Sequence, residues 1–359
     1  MPQSRLIAVS DEPKLDAHRT SGTSPTDAVG TVHLLGVGGV GRALLQRIAL
    51  SGRRLVAVSD STATVAAPHG LDPLRVLAWK AAGRPLAEWP GAWCVPTAEA
   101  VARVNAGVVV DATATTGDRP EWTEMLDGVL ARGSAIALAA KDALAERAAV
   151  WLTQYAGAVG CNAVLGGTGQ QLARELPELK RRWHEAAIVG NASTTTILEC
   201  IERGGTLAEG IEEAHQRGYL EADPELDLRG RDAAVKLAIV AGALRGERID
   251  AAAIVCEDIR SLDPEVIRAR VERGATTRLV ARATPHGVHA GYEEVDRASA
   301  LASPVGRVVY RYDLSRNERR LHIGGGLGAA ATADALWVDV VALGSRLQQA
   351  APISAGVAR

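Results

Sequence analysis

The chain has 359 residues and nearly balanced charge, with 40 Lys and Arg against 42 Asp and Glu. This length is typical of two domains, because single domains commonly run about 100 to 200 residues. The sequence has no long run of like charges and no apolar run near the roughly 20 residues of a membrane span, which argues against nucleic-acid and membrane partners. Its four cysteines lie far apart, which indicates neither a zinc site nor a disulfide framework. We therefore expect a soluble, cytoplasmic protein that acts on a small molecule.

Residues 1–29 are rich in Ser, Thr, Asp and Pro and show no hydrophobic periodicity. Segments of this composition bury too little apolar surface to hold one conformation. We expect them to form a poorly ordered extension that precedes the first domain.

A glycine-rich turn, Gly-Val-Gly-Gly-Val-Gly, occupies residues 36–41 between an apolar run at 31–37 and an amphipathic stretch at 42–50. Strand, glycine turn and helix follow in the order of a dinucleotide-binding unit, in which the helix N-terminus faces a pyrophosphate. A second apolar run, 55–58, leads to a carboxylate where such units bind a ribose hydroxyl. The alternative is a glycine turn of purely structural use. The cofactor contacts that we predict here are Gly36, Gly38, Val40, Gly41 and Asp60.

The sequence leaves the choice between NAD and NADP open. Asp60 favours a free ribose 2′-hydroxyl and therefore weakly favours NAD. Arg53, Arg54 and Lys80 could instead reach a 2′-phosphate.

Strand and helix patterns continue to alternate through residue 155, which predicts an α/β, Rossmann-type dinucleotide-binding domain over 30–155. Loops after the strands are where ligands bind in such sheets. After the strand at 106–111, Thr113 and Thr115 are either neighbours of the nicotinamide ribose or polar turn residues. Lys141 follows the strand at 134–139 and is either a cleft residue or an ordinary surface lysine.

After residue 155 the alternation is lost, which predicts an α+β domain with a mixed sheet over 156–323. A second glycine-rich segment, 324–328, precedes a helix expected over 332–348, and the chain from about 324 to 359 is expected to complete the first domain. The strands that we predict in and before the second domain lie at 159–165, 186–191, 253–255, 277–284, 288–294 and 305–312.

The segment 218–237, GYLEADPELDLRGRDAAVKL, is an acidic loop followed by a helical pattern from about residue 229. Asp232 and Lys236 are four residues apart and so lie on one flank of that helix. One interpretation is an ordinary surface pair. The other is a lysine at a cleft edge that transfers a proton or holds a carbonyl oxygen.

Three segments together resemble the homoserine dehydrogenase family, and the resemblance extends over 31–347. The first is the glycine turn with Val-Ala-Val-Ser-Asp-Ser at 56–61. The second is the segment 218–237, with its Tyr-x-Glu, its Asp-Pro, a later Asp-x-x-Gly-x-Asp and a final Lys. The third is Gly-Gly-Gly-Leu-Gly-Ala-Ala-Ala-Thr-Ala-Asp-Ala at 324–335.

The resemblance implies a homodimer that reversibly reduces L-aspartate 4-semialdehyde to L-homoserine with NAD(P)H, in threonine and methionine biosynthesis. The second domain would then carry both catalysis and dimerisation. The resemblance matches Lys236 to the proton-transferring lysine and Lys141 to a second active-site lysine near cofactor and substrate. Its substrate-binding positions are Glu221 and Asp232, which hold the amino group, and Asp227 beside them. Gly218 and Gly328 match backbone positions near the nicotinamide.

One loop departs from the family pattern. The family's Glu-Ala-Thr-Val-Gly-x-Gly-Ile/Leu-Pro corresponds to Asn-Ala-Val-Leu-Gly-Gly-Thr-Gly-Gln at 162–170. The family's glutamate belongs to a monovalent-cation site whose main-chain ligands would be Leu165 and Gly167, so Asn162 leaves that cation open. Ala140 also replaces the family's Asn. Two alternatives therefore remain: the same chemistry on another amino or hydroxy aldehyde, and a cofactor-binding homologue without turnover.

Overall fold

The computed structural model describes residues 30–350 except 118, 221–223 and 326–327. The extension predicted at 1–29 and residues 351–359 lie outside this part of the chain. Its strands are β1 (Thr31–Leu35), β2 (Arg54–Ser59), β3 (Thr64–Leu71), β4 (Val108–Asp111), β5 (Ala135–Leu138), β6 (Val159–Gly160), β7 (Trp183–Val189), β8 (Ala275–Thr284), β9 (Gly287–Asp296), β10 (Arg307–Leu314) and β11 (Glu318–Gly325).

The helices of the described residues alternate with the strands in the first half of the chain and cluster in the second. They are α1 (Gly39–Ser51), α2 (Pro73–Ala81), α3 (Thr97–Arg103), α4 (Pro120–Ala131), α5 (Asp142–Gln154), α6 (Gly169–Arg182), α7 (Ala192–Glu202), α8 (Leu207–Gln216), α9 (Glu225–Leu228), α10 (Arg231–Arg245), α11 (Pro264–Glu272) and α12 (Gly328–Ala350).

The first sheet has the strand order β3-β2-β1-β4-β5-β6, and its strands are parallel except for β3, which runs antiparallel to β2. All five residues of β1 are buried, as expected for a central parallel strand with helices on both faces. Because parallel strands end at one edge, the loops after β1, β2, β4 and β5 meet there. The sequence patterns did not predict β3, whose Pro68 and Gly70 are unusual in strands and tolerated at a sheet edge.

The C-terminal helix α12 packs onto this first sheet. Ala333, Leu336 and Val340 share a buried cluster with Val32 and Leu34 of β1. At its start, α12 also meets the glycine turn, because a Cβ atom on Gly39 would lie 3.3 Å from the Cβ of Ala329. The chain thus returns to the first sheet after the second domain.

The second sheet has the order β11-β10-β7-β8-β9, and all of its strand pairs are antiparallel. The predicted fold class, a Rossmann-type domain with an α+β partner, is confirmed. The prediction of a mixed sheet in the second domain is wrong, because that sheet is entirely antiparallel. The reason is that β8–β9 and β10–β11 are hairpins with short turns, which reverse the chain direction. A single parallel bridge, Cys256 to Ala290, adjoins the sheet.

Several predicted element boundaries are wrong. The strand expected over 253–255 is absent from the described residues. Residues 251–253 form a turn instead, because the main-chain carbonyl and the side chain of Asp250 accept hydrogen bonds from the backbone N–H groups of Ala253 and Ala252. The strand expected over 159–165 ends at Gly160. The second glycine-rich segment ends β11 rather than forming only a turn, and the helix expected from residue 332 begins at Gly328. None of the described helices is long and apolar enough to cross a membrane.

Candidate active site

The glycine turn after β1 has two closely packed glycines and one open one. Gly36 has φ +88°, and a Cβ there would lie 2.7 Å from the carbonyl oxygen of Ala112. A Cβ on Gly41 would lie 2.1 Å from the carbonyl oxygen of Gly36, so α1 can approach β1 only with glycine at this position. Gly38 is the N-cap residue of α1, and a Cβ there would meet no atom within 4 Å. Val40 lies in the first turn of α1. The backbone therefore allows an anionic ligand to approach the helix N-terminus.

Asp60, after β2, is surrounded by donors from its own domain. Its Oδ1 accepts from the N–H and hydroxyl of Thr62 and the N–H of Ala63, at 2.8, 2.6 and 3.2 Å. Its Oδ2 accepts from Lys80 Nζ at 2.7 Å and from Leu86 N at 3.0 Å. Burial raises the pKa of Asp60, but these donors outweigh it and lower the pKa to about 2. These five donors already fill the roughly four lone-pair positions of a carboxylate. A ribose hydroxyl would therefore have to displace one of the donors.

Lys80 and Arg53, which were considered for a 2′-phosphate, both have other partners in the fold. Lys80 pairs with Asp60. Arg53 turns toward α12, where its Nη2 donates to the carbonyl of Val341 at 3.3 Å and its guanidinium lies 6.0 Å from the ring of Trp337. Arg54 is exposed at the start of β2.

The loop after β4 is organised by the buried carboxylate of Asp111. Its Oδ1 accepts from the hydroxyl of Thr113 at 2.6 Å, and its Oδ2 accepts from the indole N–H of Trp122 at 2.7 Å. The hydroxyl of Thr115 accepts from the backbone N–H of Lys141 at 3.2 Å. Both threonines therefore shape the loop, and Thr115 joins it to Lys141 in the loop after β5.

Lys141, Asp232 and Lys236 form one cluster between the domains. Lys236 Nζ lies 2.8 Å from Asp232 Oδ2, and Lys141 Nζ lies 3.4 Å from Asp232 Oδ1. The side chains are 12%, 27% and 25% exposed for Lys236, Lys141 and Asp232. Burial raises the pKa of Asp232, but the charges of Lys236 and Lys141 outweigh it and lower the pKa to about 2. The carboxylate therefore stays ionised between two cations.

Local structure explains how the three side chains converge. Asp232 lies in the first turn of α10, where the helix dipole favours a carboxylate, and Lys236 follows one turn later on the same flank. Gly230, the residue before α10, has φ +67°, which allows the sharp entry into the helix. Lys141 is the N-cap residue of α5, at the edge where the parallel strands end. The cluster thus joins a loop of the first sheet to a helix of the second domain.

The backbone at Gly190, between β7 and α7, supplies a further partner that the sequence patterns did not reveal. Lys236 Nζ donates to the carbonyl oxygen of Gly190 at 2.9 Å. A Cβ on Gly190 would lie 2.4 Å from Cγ2 of Val308, so only glycine lets this carbonyl take its position. Asn191 then caps α7 by accepting from the N–H of Thr194 at 3.1 Å. The Thr194 hydroxyl is buried and has no hydrogen-bond partner among the described residues.

The other predicted site residues lie at element ends. Gly218 has φ +70° in the turn after α8, and Gly328 has φ +80° at the start of α12. Asp227 lies in the short helix α9, where the sequence predicts irregular loop, and its carbonyl accepts from Gly230 N at 3.0 Å. Glu221 lies outside the described residues. Leu165 and Gly167 lie in the turns after β6.

The fold and this cluster define a class of protein: a two-domain α/β protein with a Rossmann-type domain and an ionic cluster at the edge where its parallel strands end. A family model described as homoserine dehydrogenase matches residues 178–341, and one described as glutamate/leucine/phenylalanine/valine dehydrogenase matches residues 20–118. Over residues 178–341 the chain is therefore similar to the homoserine dehydrogenase family. The resemblance seen in the sequence is thereby confirmed.

Relatives in sequence include the homoserine dehydrogenase of Neisseria gonorrhoeae, 30% identical over 44% of this chain and 37% of that protein. The aligned part of a second relative, from Corynebacterium glutamicum, is 32% identical and covers 36% of that protein. The chain thus spans little more than a third of these two relatives. The NAD(+)-dependent homoserine dehydrogenase of Pseudomonas canavaninivorans is 27% identical over 70% of this chain and 76% of that protein.

Two solved structures show the same fold. A putative homoserine dehydrogenase from Archaeoglobus fulgidus matches with a TM-score of 0.72 and 21% identity, over 86% of this chain and 98% of that one. A hyperthermophilic archaeal homoserine dehydrogenase in complex with NADPH matches with a TM-score of 0.71 and 23% identity, over 88% of this chain and 98% of that one.

Proposed function

We propose that this protein catalyses the reversible, NAD(P)-dependent reduction of L-aspartate 4-semialdehyde to L-homoserine. The observation that carries the proposal is the cluster of Lys141, Asp232 and Lys236 where the two domains meet. The named relatives, which are homoserine dehydrogenases, support it.

Lys236 is proposed to act on the aldehyde oxygen. Hydride addition to an aldehyde leaves negative charge on oxygen, which an ammonium group can stabilise and protonate. The ammonium group has three N–H donors, and two of them are directed at Asp232 and the carbonyl of Gly190. One donor is therefore available for the substrate oxygen, and the two acceptors fix its direction.

Lys141 is proposed to lie between cofactor and substrate. Its backbone N–H is tied to the loop after β4 through Thr115, and its ammonium group lies near Asp232. A second cation on the cofactor side would add to the stabilisation of the developing alkoxide.

The substrate's charged groups would meet groups of opposite sign. Asp232, together with Glu221 and the nearby Asp227, is proposed to receive the α-ammonium group. The N-terminus of α7, which begins two residues after Gly190, favours an anion. The buried hydroxyl of Thr194, which has no partner in the described part of the chain, offers a donor there. We propose that the α-carboxylate binds at this helix end.

The residues of the first domain fit a dinucleotide. Gly36, Gly38, Val40 and Gly41 are proposed to hold the pyrophosphate at the N-terminus of α1, with Thr113, Gly218 and Gly328 toward the nicotinamide. The bound nicotinamide supplies the hydride. NAD is the proposed preference, because Asp60 places a carboxylate after β2 while Lys80 and Arg53 have other partners. The ribose hydroxyl would then replace one of the donors that surround Asp60.

A second candidate is the same chemistry on another amino or hydroxy aldehyde. It is favoured by the departures from the family pattern at Ala140 and in the loop 162–170. The resemblance also supports a homodimer, which sedimentation would test against the chain mass of 37.5 kDa.

A panel of aldehydes, each assayed with NADH and NADPH, tests these proposals. We expect aspartate semialdehyde to give the highest kcat/KM and NADH to be the better donor. A markedly better substrate elsewhere in the panel would support the second candidate. Tight cofactor binding with no turnover on any aldehyde would instead identify a non-catalytic homologue.

A further inference from the structure

A buried carboxylate on the C-terminal helix holds the loop 161–170, which consists of the residues after β6 and the first two residues of α6 and includes the positions 162–170 that depart from the family pattern. Asp339 of α12 is 1% exposed. Its Oδ2 accepts from the backbone N–H of Asn162 at 2.7 Å, and its Oδ1 accepts from Asn162 Nδ2 at 2.8 Å. Gln170 Nε2 also donates to Oδ1 at 3.2 Å. Three donors of the loop thus converge on one side chain.

Two oxygen atoms of this loop are already engaged by hydrogen-bond donors, which does not fit their use as ligands of the monovalent cation that the family resemblance implies. The side-chain oxygen of Asn162 already accepts from Gln170 N at 2.9 Å. The carbonyl of Leu165, one of the two expected ligands, accepts from both the N–H and the hydroxyl of Thr168, at 3.2 and 2.8 Å.

Electrostatics explains why an amide at residue 162 removes the need for a cation. A glutamate there would bring a second carboxylate to Asp339, and two such groups at close range require a cation or a shared proton. Asn162 instead presents an N–H group, which donates to Asp339 without adding charge.

The loop also supports the acceptor of Lys236. A Cβ on Gly166 would lie 2.4 Å from Cγ1 of Val308, just as one on Gly190 would lie 2.4 Å from its Cγ2. Val308 therefore packs against the loop on one side and against the residue that accepts from Lys236 on the other. A shift of the loop would therefore reach the carbonyl of Gly190 through the side chain of Val308.

We propose that the hydrogen bonds between Asn162 and Asp339 take the place of a monovalent cation in this protein. The loop 161–170 then keeps its shape, and Lys236 its acceptor, without Na⁺ or K⁺. The part of this inference that concerns turnover rests on the proposed function, whereas the part that concerns folding does not.

The test compares melting temperature and turnover of the full chain in sodium, potassium and tetramethylammonium chloride at equal ionic strength. We expect the unmodified protein to behave alike in all three salts. Asn162→Glu should melt several degrees lower in tetramethylammonium than in sodium or potassium, because two carboxylates then face each other. Gln46→Glu, an exposed change on α1, should show no such difference and controls for added charge.

A loss of melting temperature or turnover by the unmodified protein in tetramethylammonium would overturn the proposal. It would also be overturned by an Asn162→Glu variant that folds and melts alike in all three salts. If Asn162→Glu does not fold, the melting temperature of the unmodified protein in the three salts still decides whether the fold needs a monovalent cation. Because melting needs no substrate, absence of turnover on every aldehyde would reject the proposed function without deciding this inference.

Discussion

Lys141 Nζ lies 3.4 Å from Oδ1 of Asp232, and this ion pair joins a loop of the first sheet to the first turn of α10 in the second domain. The same carboxylate contacts Lys236 through its other oxygen. One aspartate therefore positions two lysines that belong to different domains. The relative position of the two domains decides whether this cluster forms.

Replacing Lys236 with Ala should lower kcat by about 10²–10⁴-fold, the range for loss of a general acid–base group. The KM for NADH should change little, because Lys236 is proposed to contact the substrate oxygen and not the nucleotide. Steady-state kinetics with aspartate semialdehyde measures both. Lys180→Ala, at the end of α6, is the matched control. Unchanged turnover of Lys236→Ala would reject the proposed role.

Asp232→Asn should destabilise the protein at neutral pH and less so in acid. The folded-state pKa of Asp232, about 2, is lower than the ordinary value of 3.8. The contribution of the ionised Asp232 to folding stability is therefore fully present above about pH 4 and is lost as the pH falls through about 2. At neutral pH the shift corresponds to a free energy of unfolding on the order of 2 kcal/mol. Urea unfolding of the unmodified protein and of Asp232→Asn between pH 7 and pH 3 measures the difference in their free energies of unfolding. A difference that does not change with pH would contradict the lowered pKa of Asp232.

Gly190→Ala should cost about 1–3 kcal/mol of folding free energy, the usual cost of overpacking a well-filled core. The added methyl would meet Cγ2 of Val308 at 2.4 Å and its Cα at 2.9 Å. The Gly190 carbonyl would then move away from Lys236, so kcat should fall as well. Gly128→Ala is the control, since a Cβ there meets nothing within 4 Å.

Val308→Ala made in the Gly190→Ala protein should recover only a small part of the lost kcat. It removes Cγ2, the nearest of the Val308 atoms that the new Cβ meets, but leaves Cβ and Cα at 2.6 and 2.9 Å. A double-mutant cycle on unfolding and turnover measures this coupling. Additive effects of the two substitutions would show that Val308 does not set the position of the carbonyl.

Thr194→Val should raise the KM for the aldehyde without lowering the melting temperature. The hydroxyl of Thr194 is buried without a partner among the described residues, so its loss breaks no hydrogen bond within the described part of the fold. Thr196→Val is the control, because the hydroxyl of Thr196 donates to the carbonyl of Ala192 at 2.8 Å. Equal effects of the two substitutions on KM would exclude a direct contact of Thr194 with substrate.

The sequence by itself determined the local features of this protein. The order of strand, glycine turn and helix at 31–51 and the spacing of Asp232 and Lys236 are readable because they involve neighbours along the chain. The resemblance to a known family also placed Lys141 and Lys236 in one site. Among the strands, the sequence patterns missed β3 and β11. Both lie at sheet edges, where Pro, Gly and Arg interrupt the usual alternation of apolar and polar residues.

The tertiary structure alone decided which distant groups meet. It places the carbonyl of Gly190 against Lys236, engages Asp60 with donors of its own domain, and brings Asp339 to Asn162. These contacts join residues far apart in the chain, and nothing in local periodicity encodes them, because they depend on how helices and sheets pack. For the same reason the sequence leaves open whether Asp232 and Lys236 form a surface pair, whereas the structure places Lys141 of the first domain beside them.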